Sequence, residues 1–176
     1  MNRRGMTAQI EGAVAVLCGR ALWACRRAAD MATFQFGERR NTTDYFGRPS
    51  TGGEYALHVQ CPWRIIRDDE IVVGSADLYY PEELQNDGKE VPADFDWYRS
   101  PNRRDKLLRS LFEDGKRSFV VQKVEAGIQG SLRILLSDDL SLEVLPVDSL
   151  SHERWRLFRP GTDEPHLVVT GRGVEM

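Results

Sequence analysis

His58 and Cys61 are the only histidine and cysteine that lie close together, in the run Leu57-His58-Val59-Gln60-Cys61. Two chemistries would use such a pair: metal ligation, and a thiol nucleophile activated by an imidazole base. The alternation of apolar and polar residues around them reads as a β-strand, and on a strand residues three apart point to opposite faces. The two side chains therefore cannot grip one ion or share one proton without a bulge. His152 and His166, the remaining histidines, lack any ligand spacing. The expectation is no metal site, a buried cysteine and a hydrogen-bonded histidine. What remains for His58 is acid–base work on the open face, with Asp77 or Glu125 as the acid and Arg64 as a charge anchor. That set would make a small hydrolase or ligand-binding enzyme, and it requires His58, Arg64 and an acid to line one concave pocket.

A second constellation is made of charge and aromatic rings. Ten acids lie from Asp68 to Asp96 against the single Lys89, with Phe95, Trp97 and Tyr98 embedded among them. Seven basic residues follow from Arg99 to Arg117. The plain expectation is intramolecular neutralisation, the basic segment facing the acidic one while both stay solvated. The sharper expectation is a protein-binding surface at Phe95, Trp97 and Tyr98, because aromatics framed by charge make good interface anchors. No nucleic-acid partner is expected, since the basic segment has no interleaved aromatics and the chain carries a net charge of -3. Phosphate-loop, dinucleotide, nucleophile-elbow and zincin motifs are all missing, so no cofactor is implied.

The elements that must position these residues follow from periodicity. Ile10, Ala13, Val14, Leu17 and Cys18 recur at helical spacing after Thr7, a plausible N-cap, with Gly19 at the end and residues 1–6 as a frayed start. Residues 22–37 read as mostly extended, residues 41–53 as a surface loop, and residues 55–61 as a strand ended by Pro62. Trp63 to Arg67 and Ile71 to Val73 resume extended structure around Asp68-Asp69. Asn102 caps a short amphipathic helix with Leu107, Leu108, Leu111 and Phe112 on its buried side. Segments 119–126, 132–137, 142–146, 154–158 and 167–170 alternate as a strand meander, and Gly171-Arg172-Gly173 reads as a tail. Arg133, Glu143 and Arg156 would form a charge ladder on its solvent face. The predicted fold class is α+β: a mostly antiparallel sheet, bent or in two layers, with an N-terminal helix and one mid-chain helix packed on it.

At 176 residues the chain suits one domain over residues 1–176, with surface loops at about 41–53 and 81–101. Three cysteines, Cys18, Cys25 and Cys61, form no paired set and read as reduced thiols in a cytoplasmic protein. Glu11 and Arg20 break the apolar run that follows Arg3 and Arg4, so no signal peptide is expected, and no run of ~20 apolar residues would cross a membrane.

The segments Arg27-Ala28-Ala29-Asp30-Met31, Leu57-His58-Val59-Gln60-Cys61-Pro62-Trp63-Arg64-Ile65 and Glu153-Arg154-Trp155-Arg156-Leu157-Phe158 resemble those of a small bacterial domain family without an established activity. Some of its members look similar to immunity proteins of contact-dependent toxin systems. The resemblance implies a single bacterial domain, strand rather than helix over residues 22–37, and no mechanism. The leading expectation is a non-catalytic cytoplasmic binding module, immunity-type or adaptor, with a protein partner; a homodimer through an exposed edge strand is a further option.

Overall fold

The structure, a computed structural model, describes residues 3–44, 46–84 and 90–175. Among these residues eleven strands form one open antiparallel sheet accompanied by two α-helices, an α+β arrangement dominated by the sheet. In chain order these are α1 (Arg3–Val14), β1 (Ala21–Ala28), β2 (Met31–Thr43), β3 (Pro49–Val59), β4 (Trp63–Arg67), β5 (Glu70–Gly74), α2 (Arg103–Leu111), β6 (Phe119–Ala126), β7 (Leu132–Leu136), β8 (Leu140–Val144), β9 (Glu153–Phe158), β10 (Leu167–Thr170) and β11 (Gly173–Glu175). Their order in the sheet is β11-β10-β9-β3-β2-β1-β6-β7-β8-β4-β5.

Most hairpins close where turn chemistry is written into the chain. Asp138 and Asp139 both take positive φ between β7 and β8, the conformation that matches the twist of a two-residue hairpin. Asp68 and Ala29 take positive φ at the β4–β5 and β1–β2 turns. α2 begins where Asn102 accepts a hydrogen bond from the Asp105 amide at 2.9 Å. Arg104, Leu108 and Leu111 are buried on its inner face. α1 buries Ile10 and Val14 along its stripe, and Leu17 follows on a 3₁₀ turn. One apolar core joins these residues to every strand from β1 to β10.

Several expectations need correction. Helix α1 starts at Arg3 rather than at Thr7, and Met6 already packs on the core. The stretch 41–53 is no long loop: β2 and β3 pair from Thr43↔Pro49 inward, leaving only the tip between them. Its Asn, Thr and Ser side chains stand exposed or half-exposed on a ribbon, where nothing opposes a strand conformation. The final strands form no single meander. β8 pairs with β4, whereas β9 pairs with β3, so the chain crosses between β8 and β9 to the other half of the sheet. The supposed tail leads into a further strand: Gly171 and Arg172 form a turn, and β11 pairs with β10 from Thr170↔Gly173 onward.

Contacts also link strands distant in the sheet. Phe34 of β2 meets Trp63 of β4 edge to face with ring centroids 5.1 Å apart, although β1, β6, β7 and β8 lie between those strands. The indole of Trp155 on β9 donates to the Gly130 carbonyl, in the β6–β7 turn, at 2.8 Å.

Candidate binding site

The acid–base set does not converge. His58 stands on β3 beside Arg156 of β9 and Thr33 of β2, with its ring edge on Phe158 at 4.7 Å. Asp77 is used structurally: one carboxylate oxygen accepts from the Gly74 amide at 2.7 Å and the other from Arg103 at 3.2 Å. Arg64 and Glu125 do share a surface depression of about 410 Å³, together with Arg133 and Glu143, but His58 is not among its lining residues. That depression is the expected charge ladder in altered form. Glu125, Arg133, Glu143 and Arg64 stand in register across β6, β7, β8 and β4, so the signs alternate. Arg64 reaches Glu143 at 2.7 Å and Arg133 reaches it at 3.7 Å. Arg156 lies outside this ladder, on β9, paired with Glu153 at 2.8 Å.

Burial lowers the pKa of His58 from 6.5 to about 4, and the nearby Arg156 adds to the effect, whereas Glu153 opposes it and His166 reinforces it. The folded protein therefore keeps this ring neutral while the unfolded chain protonates it below pH 6.5. Stability from this site is complete above 6.5 and is lost as pH falls toward 4, by at most roughly 3 kcal/mol. Wild-type protein and His58→Phe, compared by urea unfolding at pH 7 and pH 4.5, are expected to diverge in this direction, the variant losing less. Parallel pH profiles would assign the acid sensitivity elsewhere.

Cys61 is buried and its thiol is pushed up to about 11 by that burial, while Cys25 is pushed up to about 12 for the same reason. Both stay protonated at neutral pH. Cys25 lies in a depression of about 560 Å³ between β1 and α2, whose lining includes Trp23, Arg26, Arg27, Arg39 and Arg109. These guanidinium groups are already engaged: Arg26 donates to the Thr51 carbonyl at 2.6 Å, Arg39 to that of Gly115 at 2.8 Å, and Arg27 to Asp105 at 2.9 Å. Among the described residues, no three His, Cys, Asp or Glu side chains gather as a metal ion would require.

The acidic stretch and the basic helix do meet. Arg103 pairs with Asp77, Arg109 with Glu82 at 3.2 Å, and Arg99 lies 3.8 Å from Asp96. Asp87 and Lys89, counted in the acidic stretch, lie outside the described residues. The segment is also tied by its backbone: Arg103 N–H donates to the Tyr80 carbonyl, Glu82 N–H to that of Pro101, and Arg27 to that of Tyr98. On this support Trp97 is wedged between Tyr79 and Tyr98, both edge to face, at 5.6 and 5.7 Å. Tyr98 is 57 % exposed and Tyr79 46 %, while Trp97 and Phe95 are half-buried. Tyr79 belongs to this aromatic ledge, although it lies outside the stretch 95–98 that sequence singles out. The signal for it was the Tyr79-Tyr80 pair just before Pro81.

Sequence reasoning also passed over Arg104, which is 1 % exposed. The signal was present in its spacing, since Arg104, Leu108 and Leu111 fall on one helical stripe. Protein-family models, curated proteins and solved structures yield no match to the chain. Among the described residues, no helix is long and apolar enough to cross a membrane.

Proposed function

We propose that this protein is a non-catalytic cytoplasmic binding module, of the immunity or adaptor type and bacterial in origin, that docks a protein partner on the ledge of Tyr79, Trp97 and Tyr98. The observation that carries the reading is an exposed stack of aromatic rings held by hydrogen bonds and ion pairs to α2 and β1. Large rings fixed before binding lose little conformational entropy on contact, which is why Tyr and Trp dominate the energetics of interfaces. Phe95, two residues before Trp97 in the chain, is half-buried and belongs to the same proposed surface. The hydrolase alternative has no comparable support, because His58, Asp77 and the Arg64–Glu125 pair occupy separate surroundings. A homodimer is the second partner reading; it is favoured by the open edge at β5, where Ile71 is 60 % exposed.

A sheet folded into two facing layers would provide the stiff base such a ledge needs. In a flat sheet Phe34 and Trp63 would stand about 24 Å apart at ~4.8 Å per strand. Their 5.1 Å ring separation, and the Trp155–Gly130 bond, support the folded-over reading.

The test is a pull-down of tagged wild-type protein and a Trp97→Ala/Tyr98→Ala double variant from lysate of the source cell. A specific partner of the wild type is expected to be recovered at about one tenth or less by the variant, whose melting curve should be close to normal. Undiminished recovery by the variant sinks the ledge as the docking surface.

A further inference from the structure

We propose that the cavity bounded by β4, the 3₁₀ turn of Ser75–Tyr79 and the start of α2 binds the carboxylate of a small organic acid with an apolar body, Arg104 being its charge anchor.

The first ground is an unmet guanidinium. Arg104 is 1 % exposed, and its Nη1 donates to the Asp30 carbonyl at 3.0 Å. Its Nε and Nη2 are buried and find no hydrogen-bond partner. Those two nitrogens form one edge of the planar group, the edge that presents two parallel N–H bonds to a carboxylate. Arg154, the other buried arginine among the described residues, differs: its Nη atoms meet Asp148 and His152.

The second ground is local charge. Arg27 and Arg104 share a single carboxylate, Asp105. Its Oδ2 is taken by Arg27 at 2.9 Å and by the Asn102 amide at 2.8 Å. Its Oδ1 stands 4.0 Å from Arg104 Nε, too far for a hydrogen bond. One buried positive charge is left without a close counter-ion, a state that folded proteins normally avoid. The N-terminus of α2 adds its own partial positive charge at the same place.

The third ground is space. Arg104 forms part of the wall of a cavity of about 260 Å³, with Trp63, Leu78, Tyr79, Val59 and Ser75. The Ser75 hydroxyl oxygen accepts from the Trp63 amide at 3.2 Å, which leaves its hydrogen for a second acceptor. The volume lies just below the range of ~300–1,000 Å³ usual for drug-sized ligands, so the guest is of fragment size. Asp30 and Gln60 line the same cavity, so one arginine charge beside one aspartate, within walls otherwise rich in apolar side chains, favours a monoanion with a hydrocarbon or aromatic body over a multiply charged phosphate. This inference stands apart from the protein-partner reading; either can fail alone.

The experiment uses the full chain with isotope-labelled arginine, following the Arg104 Nε–H resonance as sodium benzoate or phenylacetate is added, with inorganic phosphate and chloride as comparison ions. A saturable shift with the two carboxylates is expected, with weaker or no saturation by phosphate. Arg104→Lys keeps the charge but loses the two-pronged edge, and should weaken binding about tenfold or more. Ala76, exposed at the rim of the same cavity, supplies a second variant that leaves the guanidinium in place: Ala76→Phe should obstruct entry and weaken binding similarly. Shifts that never saturate, a preference for phosphate, or wild-type affinity in Ala76→Phe or in folded Arg104→Lys would each overturn the proposal.

Discussion

Trp155→Ala is expected to lower the free energy of unfolding by about 3–5 kcal/mol. Trp155 is fully buried on β9, between Val59 of β3 and Val169 of β10. Truncation removes the largest side chain among the fully buried set and leaves a cavity that the strands on either side cannot close without moving. It also strands the carbonyl of buried Gly130, which accepts the indole N–H at 2.8 Å. Gly130 has little room to shift toward a new partner, since it takes φ +78° and a β-carbon there would come within 2.7 Å of Val169. For a domain whose total stability is of the order of 5–15 kcal/mol, the variant approaches the unfolding threshold. Trp155→Phe separates the two effects by keeping much of the apolar volume and losing the bond; a loss of about 1–3 kcal/mol is expected. Urea denaturation measures both. A penalty below ~1 kcal/mol for Trp155→Ala would contradict the placement of β9 at the centre of the core.

Gly53→Ala is expected to cost about 2–3 kcal/mol, near the upper end of the range for overpacking. Gly53 is buried on β3 beside the irregularity in the β2–β3 pairing, between Phe36 and Arg39. A β-carbon there would come within 2.7 Å of the carbonyl oxygens of Phe36 and Tyr55 and 2.8 Å of the Phe36 nitrogen. All three are backbone atoms, so relief requires β2 to part from β3 and the backbone of β3 itself to bend away from its own Tyr55 carbonyl. The Gly53 amide also donates to the buried Gln35 side chain at 2.9 Å, a bond that any such parting would stretch. Gly52→Ala is the control, because its nearest neighbour would be a Thr42 methyl group at 3.4 Å and a change within about 0.5 kcal/mol is expected. Chemical denaturation of the pair, with amide exchange at Phe36, reads the difference; equal midpoints would show that the bulge absorbs the methyl group freely.

Local elements were legible in the sequence where a local cause acts. Asn102 announces α2 because its side chain satisfies a helix amide three residues on. Asp138-Asp139 and Asp68-Asp69 announce turns because short polar side chains tolerate positive φ. The strands at Phe119–Ala126 and Leu167–Thr170 coincide with the alternation that predicts them. The stretch 41–53 misled because turn-forming residues also occupy exposed ribbons, where strand pairing overrides their weak preference. The candidate site was legible only in part. Trp97 and Tyr98 stood out by type, whereas Arg104 looked like one more base in a basic run.

By itself the sequence determined what most segments are: period-two runs that must bury one face, a capped helix with an apolar stripe, and hairpins closed at aspartates. Tertiary structure alone decided which segments are neighbours. Alternation says which way a side chain points and nothing about the strand beside it, so β8 beside β4 and β9 beside β3 had to emerge from non-local pairing. The charges followed that pairing: Arg64 found Glu143 across a strand boundary, Asp77 found Arg103 on a helix, and Arg104 was carried into the interior without a carboxylate of its own.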